Sequence, residues 1–231
     1  MKKAEFDEYA KNYKKSVTAS VKVKEGDFDY FASYKIARVK YALRNEKTAN
    51  LRILDFGSGV GGSVPFLIKT FIDSRIDCLD VSQESLNINK EKNGYNNVTF
   101  KSYDGHSIPE KENTYDIVFT ACTFHHIPHN EHIALLQEIK RVLKPNGKLF
   151  LFEHNPLNPM TLIAVKRSPL DVNANLIGMS SMRKRIKQAE FKNIKGKYSL
   201  FFPPKLKVLS NLENLIHYIP LGAQYYIEAQ K

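Results

Sequence analysis

Between residues 51 and 153 the apolar pattern of the chain switches repeatedly between short runs and helical periods. Leu51-Arg52-Ile53-Leu54-Asp55-Phe56 is a brief apolar run cut off by glycines, the pattern of a buried strand. An apolar-periodic helix is expected next, from about Ser63 to Phe71, then a second strand over Ile76-Asp77-Cys78-Leu79-Asp80. Ser82 offers an N-cap for a helix reaching about Asn93. Val98-Thr99-Phe100 and Tyr115–Thr120 supply a third and a fourth strand. From Glu131 to Leu143, residues Ile133, Leu136, Ile139, Val142 and Leu143 share one helical face. Pro145-Asn146-Gly147 turns the chain into a fifth strand, Lys148 to Phe152.

Beyond Glu153 the pattern loosens. A Pro-rich loop (Pro156, Pro159, Pro169) precedes a basic helix near Ser180–Ala189 and strands near Asn193–Phe201 and Gln224–Ala229. Between those strands Leu206, Leu209, Leu212, Leu215 and Ile216 suggest an amphipathic helix within Pro203–Pro220. Strands alternating with helices imply a largely parallel sheet with helices on both faces. The expected organisation is a single α/β domain over 1–231: a helical cap at 1–48, a core at 49–155 and a substrate-side segment with the final strands at 156–231.

Composition narrows the class. The chain of 231 residues carries a net charge of +11, and residues 160–231 hold 12 Lys/Arg against 4 Asp/Glu. That imbalance suits a lysine-rich solvated surface or flanking segments that face an anion. No apolar run approaches the roughly 20 residues of a spanning helix, so any membrane contact would be peripheral. Basic residues at the N-terminus precede no apolar run, unlike a signal peptide. Two cysteines without a Cys-x-x-Cys spacing predict neither disulfides nor zinc, and a reducing cytoplasmic setting is expected.

The glycine cluster Gly57-Ser58-Gly59-Val60-Gly61-Gly62 carries the chemistry. A strand delivers the chain to the sheet edge, and glycines let the backbone turn and approach a ligand. Gly57, Gly59 and Gly62 also satisfy the dinucleotide spacing G-x-G-x-x-G, so glycines alone do not choose a ligand. Asp55, two residues ahead, would repel a pyrophosphate and welcome a cationic amine. Asp80, 23 residues after Gly57, suits ribose hydroxyls, and Asp104-Gly105 an adenine amino group. Asp80 and Asp104 also suit plain caps of a helix or a turn.

Ile53-Leu54-Asp55-Phe56-Gly57-Ser58-Gly59-Val60-Gly61 resembles motif I of the class I S-adenosylmethionine-dependent methyltransferases of small-molecule type. Asp80 and Asp104 match their acids after strands two and three. Tyr115-Asp116-Ile117-Val118-Phe119 and Leu143-Lys144-Pro145-Asn146-Gly147-Lys148 match their fourth-strand motif and following turn. The resemblance implies a seven-stranded sheet of order 3-2-1-4-5-7-6 with the last strand antiparallel. It implies S-adenosylmethionine held by Asp55, Gly57, Ser58, Gly59 and Gly61 at the methionine end, by Asp80 and Val81 at the ribose, and by Asp104 with Gly105 at the adenine. The Ala121 carbonyl would face the amino group. Phe6–Tyr13 resembles the first helix of many members, which adds Tyr9 and Tyr13 to the cofactor site; Phe28, Tyr30, Phe31 and Tyr34 follow.

Methyl transfer needs a nucleophile about 3 Å from the methyl carbon, opposite the sulfur. A hydroxyl nucleophile also gains from a base. Phe124-His125-His126-Ile127-Pro128 follows the fourth strand, and Glu153-His154-Asn155-Pro156-Leu157-Asn158-Pro159 ends the fifth. The latter resembles a segment of one bacterial subgroup of the family, as do Pro203-Pro204 and Pro220–Tyr225. His154 and His126 are the candidate bases or substrate anchors. No metal is expected, because no acid stands at ligand spacing beside the histidines, with His129 and His132 nearby. A second mononucleotide half, needed by a dehydrogenase, is missing. A nucleic-acid methyltransferase would show a Pro-Pro-aromatic motif where this chain reads Ala121-Cys122-Thr123-Phe124. The reading is a methyltransferase for a small or carrier-linked acceptor of anionic character, such as a sugar nucleotide or lipid-linked saccharide. A nucleic-acid methyltransferase and a catalytically silent binding subunit are the alternatives. Acceptor atom and oligomeric state have no signal in the sequence.

Overall fold

A computed structural model describes residues 19–20 and 28–231. Its sheet has seven strands in the order β3-β2-β1-β4-β5-β7-β6: β1 Arg52–Phe56, β2 Arg75–Asp80, β3 Val98–Ser102, β4 Tyr115–Ala121, β5 Leu143–His154, β6 Lys192–Ser199 and β7 Gln224–Gln230. β1 to β5 run parallel, and β7 is antiparallel to both β5 and β6, as the resemblance implied. The order reverses direction beside β1. Its carboxyl edge there is the switch point where open α/β sheets bind ligands.

Residue alternation along the strands builds two cores. Leu54, Val118, Leu149 and Leu151 point to one face, under α4 His132–Val142 and α6 Met179–Gln188. Ile53, Ile117, Phe150 and Phe152 point to the other, with α1 Phe28–Ala42, α2 Val64–Thr70 and α3 Gln83–Asn93. Both faces are covered, so the central strands read as continuous apolar runs. Truncating fully buried Leu151 to Ala would cost about 2–5 kcal/mol through lost transfer energy and a residual cavity.

Local signals account for most boundaries. The Ser82 side chain accepts from the Ser85 N–H and starts α3 as expected. Asp116 accepts from the Arg52 N–H and the Lys144 amine, so this acid clamps β1, β4 and β5. Three expectations are corrected. Pro145-Asn146-Gly147 does not precede the fifth strand but bulges within it: Leu143 pairs with Tyr115 and Lys148 with Ile117. The Pro-rich loop holds a helix, α5 Pro159–Arg167, because Asn158 caps it from outside and proline suits a first turn. Pro203–Pro220 is not one amphipathic helix. It is a kinked 3-10 run, Pro204–Leu212, with non-helical Leu206, followed by α7 Glu213–Ile216. Glu213 there turns inward to the Tyr34 hydroxyl and the N–H groups of Leu200 and Phe201, which anchors the segment together with Arg38, whose guanidinium donates to the Ser210 carbonyl and Asn214 Oδ1.

Candidate functional site

A pocket of about 610 Å³ opens at the carboxyl edge of β1, β2, β4 and β5. Asp55, Gly57, Ser58, Gly59, Asp80, Val81, Ala121, His126 and His154, all anticipated from the sequence, line it. So do Ser20, Lys35, Tyr103, Thr123, His125, Met160, Arg167 and Asp171. Tyr9 and Tyr13 lie outside the described residues.

The glycine loop divides its labour. A Cβ on Gly59 would meet nothing within 4 Å, so this is where a ligand can approach the backbone. A Cβ on Gly61 would collide with the Asn89 and Asn93 side chains at 2.0–2.5 Å. Gly61 therefore seats the loop on α3, its carbonyl accepting from Asn93, and does not line the pocket. Asp80 accepts from the Gly59 N–H at 2.8 Å and the Ser82 N–H at 2.9 Å, which holds its carboxylate at the end of β2. Asp104 accepts from the His106 and Ser107 N–H groups and is exposed. Neither it nor Gly105 lines the pocket; between β3 and that turn, Tyr103 does.

Asp55 is the most telling group at this end. The residue is 3% exposed, and among the described residues its Oδ2 has no hydrogen-bond partner. Burial, and secondarily the Asp80 charge, raise its pKa to about 7. A buried carboxylate in this condition favours a cation beside it. The open approach at Gly59 and the anchored Asp80 fit an amino acid joined to a nucleoside, as S-adenosylmethionine is. The Ala121 carbonyl faces the Thr123 hydroxyl at 3.4 Å, leaving acceptor capacity.

Five residues meet at the other end. Buried His125 puts Nδ1 2.7 Å from Glu153 Oε2 and Nε2 3.2 Å from Asp171 Oδ1. Glu153 also accepts from the Phe124 N–H at 2.7 Å and the His154 N–H at 3.2 Å. Although burial alone would lower it, the His125 pKa lies well above the usual value because of Glu153 and Asp171. Burial opposes ionisation of Glu153 and Asp171 too, yet His125 draws both down to about 2. His125 is thus an imidazolium with both nitrogens engaged. Burial and that positive charge lower His126 to about 3 and His154 to about 4, so both are neutral at pH 7. Ring centroids of His125 lie 4.0 Å from His126 and 5.0 Å from His154.

Sequence spacing did not reveal this cluster, because Asp171 lies 46 residues from His125. The fold also brings ligand atoms of His125, His154 and Asp171 within 4.8 Å of one another, a grouping able to hold a metal ion. The sequence-based expectation of no metal rested on the lack of such spacing. Here the three side chains belong to the ion-pair network just described. His132, by contrast, is engaged elsewhere, with the Ile127 carbonyl and Arg185.

Lys35 belongs to none of the sequence motifs. It sits on α1 within the buried stripe Ala32, Ile36 and Val39, and is 9% exposed. Among the described residues it has no hydrogen bond or carboxylate partner, and it lines the pocket wall. A lysine interrupting an apolar stripe at helical spacing was the available signal.

Residues 53–147 match the family model of a methyltransferase domain. The chain is 25% identical over 180 residues to a glycine/sarcosine/dimethylglycine N-methyltransferase of Actinopolyspora halophila, covering 71% of this chain and 30% of that protein. It is 26% identical to a phosphoethanolamine N-methyltransferase of Plasmodium falciparum, covering 58% of this chain and 52% of the relative. A match to a highly reducing polyketide synthase of Aspergillus sclerotiorum, 30% identical, takes in 57% of this chain and 6% of that one. The chain thus spans well under two thirds of these relatives' lengths. A Thermotoga maritima structure described as a possible histamine N-methyltransferase superposes with a TM-score of 0.70 at 17% identity, over 100% of both chains. The phosphoethanolamine N-methyltransferase 2 of Haemonchus contortus, in complex with S-adenosyl-L-methionine, gives 0.62 at 19% identity over 85% of this chain and 52% of that one.

Proposed function

We infer, from a chain whose residues 53–147 carry a class I S-adenosylmethionine-dependent methyltransferase domain, that the protein moves a methyl group onto a small or carrier-linked acceptor bearing an anionic group. The observation that carries the anionic part is Lys35: a buried ammonium on the pocket wall, without a carboxylate partner among the described residues. Burying a charge is costly unless it is paired, and an acceptor carboxylate or phosphate would pair it. Exposed Arg167 lines the same pocket and adds a second cation. Sugar nucleotides and lipid-linked saccharides are acceptors of this kind, and the phosphoethanolamine methyltransferases are named for another phosphorylated compound.

In this reading Asp55 receives the amino group of the cofactor, the Gly57–Gly59 backbone its methionine end and Asp80 its ribose. Val81 and Tyr103 would flank the nucleoside, whereas Asp104 and Gly105 would act from outside the pocket wall. The bound cofactor supplies an electrophilic sulfonium methyl group. The chain's own work is to orient the acceptor and to take its proton. Neutral His154 has a ring with no hydrogen bond among the described residues, so it is the foremost proton acceptor, with His126 beside it. His125 cannot serve as a base, since both of its nitrogens already face carboxylates. Its role is to hold Glu153 and Asp171 and to keep its two histidine neighbours neutral.

S-adenosylmethionine should raise the melting temperature, and NAD should not. Labelled S-adenosylmethionine incubated with cell extract, then fractionated, should place label in anionic small molecules or glycolipids. Label only in nucleic acid, or no stabilisation by S-adenosylmethionine, would overturn the proposal.

A further inference from the structure

The C-terminal third exposes apolar surface that the pocket does not consume. Val208, Leu215 and Tyr218 are 83%, 69% and 71% exposed. Across the pocket, on α5, Met160 and Leu162 are 71% and 47% exposed. The two segments flank one opening: Met160 and Ile163 line the pocket together with Phe202, Pro203 and Pro204. They are tied where Asn158 Nδ2 donates to the Leu221 carbonyl at 2.6 Å. Val208, Leu215 and Tyr218 lie further along the segment that enters the pocket wall at Phe202–Pro204, and so many exposed large side chains on two segments that border one opening are unusual for a solvated surface.

Free charge on the same two segments has one sign. Lys166 and Arg167 end α5, and Lys205 and Lys207 open the 3-10 run; all four are exposed and have no carboxylate partner among the described residues. The 4 acids of residues 160–231 are already engaged. Asp171 faces His125, Glu190 pairs with Lys140, Glu213 lies beside Arg38 and Glu228 pairs with Lys148. No negative charge from this segment is left to balance the rim.

We propose that this rim is a peripheral docking surface for an anionic phospholipid bilayer, placed so that the pocket opens toward the membrane. Protruding aliphatic and aromatic side chains insert among acyl chains near the headgroups, while lysine and arginine stay with lipid phosphates. A second copy of the chain meets the apolar requirement but sets like charges against each other, which disfavours it. The proposal does not depend on which atom is methylated. It adds that a lipid-anchored acceptor reaches the pocket without leaving its membrane.

Co-sedimentation of the full chain with vesicles tests it. The protein should pellet with vesicles of phosphatidylglycerol mixed into phosphatidylcholine, stay soluble with phosphatidylcholine alone, and be released by high salt. Val208→Asp with Leu215→Asp should weaken binding at least tenfold, as should Lys205→Gln with Lys207→Gln. Stabilisation of each variant by S-adenosylmethionine should persist, which separates lost docking from lost folding. Failure to bind the anionic vesicles overturns the proposal, as does equal binding by folded variants. Sedimentation velocity showing a wild-type dimer that the Asp variant dissolves also overturns it, because the patch then belongs to a second copy.

Discussion

Glu153 and His125 form a buried ion pair, with Oε2 2.7 Å from Nδ1 and both residues about 1% exposed. Glu153 is the last residue but one of β5 and His125 lies in the 3-10 turn Phe124–His126 after β4, so the pair locks together the two strand ends that border this end of the pocket. Glu153→Gln should destabilise the protein by about 3–5 kcal/mol, since it leaves a buried imidazolium with half of its compensation. Urea unfolding at neutral pH measures this. A loss below about 1 kcal/mol would mean that the pair is dispensable.

The same cluster predicts a pH signature. His154 and His126 titrate near 4 and 3 when folded, but near the ordinary value of ~6.5 when unfolded. Between these values the unfolded chain binds more protons, so their contribution to stability falls as pH drops from about 6.5 toward 4. His125 acts in the opposite sense: its raised value stabilises fully below about 6.5 and is lost as pH rises through its folded pKa. In His154→Gln the slope of stability between roughly pH 4.5 and 6 should decrease by one proton, about 1.4 kcal/mol per pH unit. An unchanged slope would show that His154 is protonated in the fold.

Asp55 should trade stability for binding. Its folded pKa of about 7 exceeds the ordinary carboxylate value, so the folded state holds an extra proton from about pH 4 to 7. Its contribution to stability therefore declines as pH rises across that window. Asp55→Asn should stabilise the ligand-free protein at pH 8 by on the order of 2 kcal/mol, the cost of an unpaired buried carboxylate. The same change should weaken S-adenosylmethionine binding at least tenfold. Calorimetric titration would also show wild-type affinity falling as pH drops below 7, where the carboxylate takes up its proton. A variant that binds normally would remove Asp55 from the site.

Two glycines should separate packing from binding. Gly61→Ala places a methyl group 2.0–2.5 Å from Asn89 and Asn93, at a φ of +79°, and should cost about 1–3 kcal/mol of stability. Gly59→Ala meets open space, though at a φ of +49°, so its stability loss should be nearer 1 kcal/mol. Its larger effect should be on S-adenosylmethionine affinity. Equal effects of both changes on stability and binding would contradict the division.

Lys35→Met should raise the acceptor KM by about 10–100-fold, the value of a charge-assisted hydrogen bond, and leave S-adenosylmethionine affinity within about twofold. The ligand-free protein should melt higher, by roughly 2–4 °C for each kcal/mol recovered at this chain length. An unchanged KM for an anionic acceptor would exclude the ammonium from recognition.

By itself the sequence determined the sheet core and the sheet edge at which the pocket opens. Strand periodicity, glycines and the acids Asp55 and Asp80 are local signals, because each residue acts within a few positions of the turn that presents it. Such patterns also named His126 and His154, since both follow strands whose ends must reach the same edge. Tertiary structure decided what local pattern could not. Asp104 turned outward because its carboxylate is satisfied by its own turn. Gly61 went to helix packing because α3 comes close behind it. His125 became charged, and its neighbours neutral, only where the fold set Glu153 and Asp171 on either side of one ring. Electrostatic partnership depends on distance in space, and residues 125, 153 and 171 acquire it only when β4, β5 and the loop after α5 converge at the pocket.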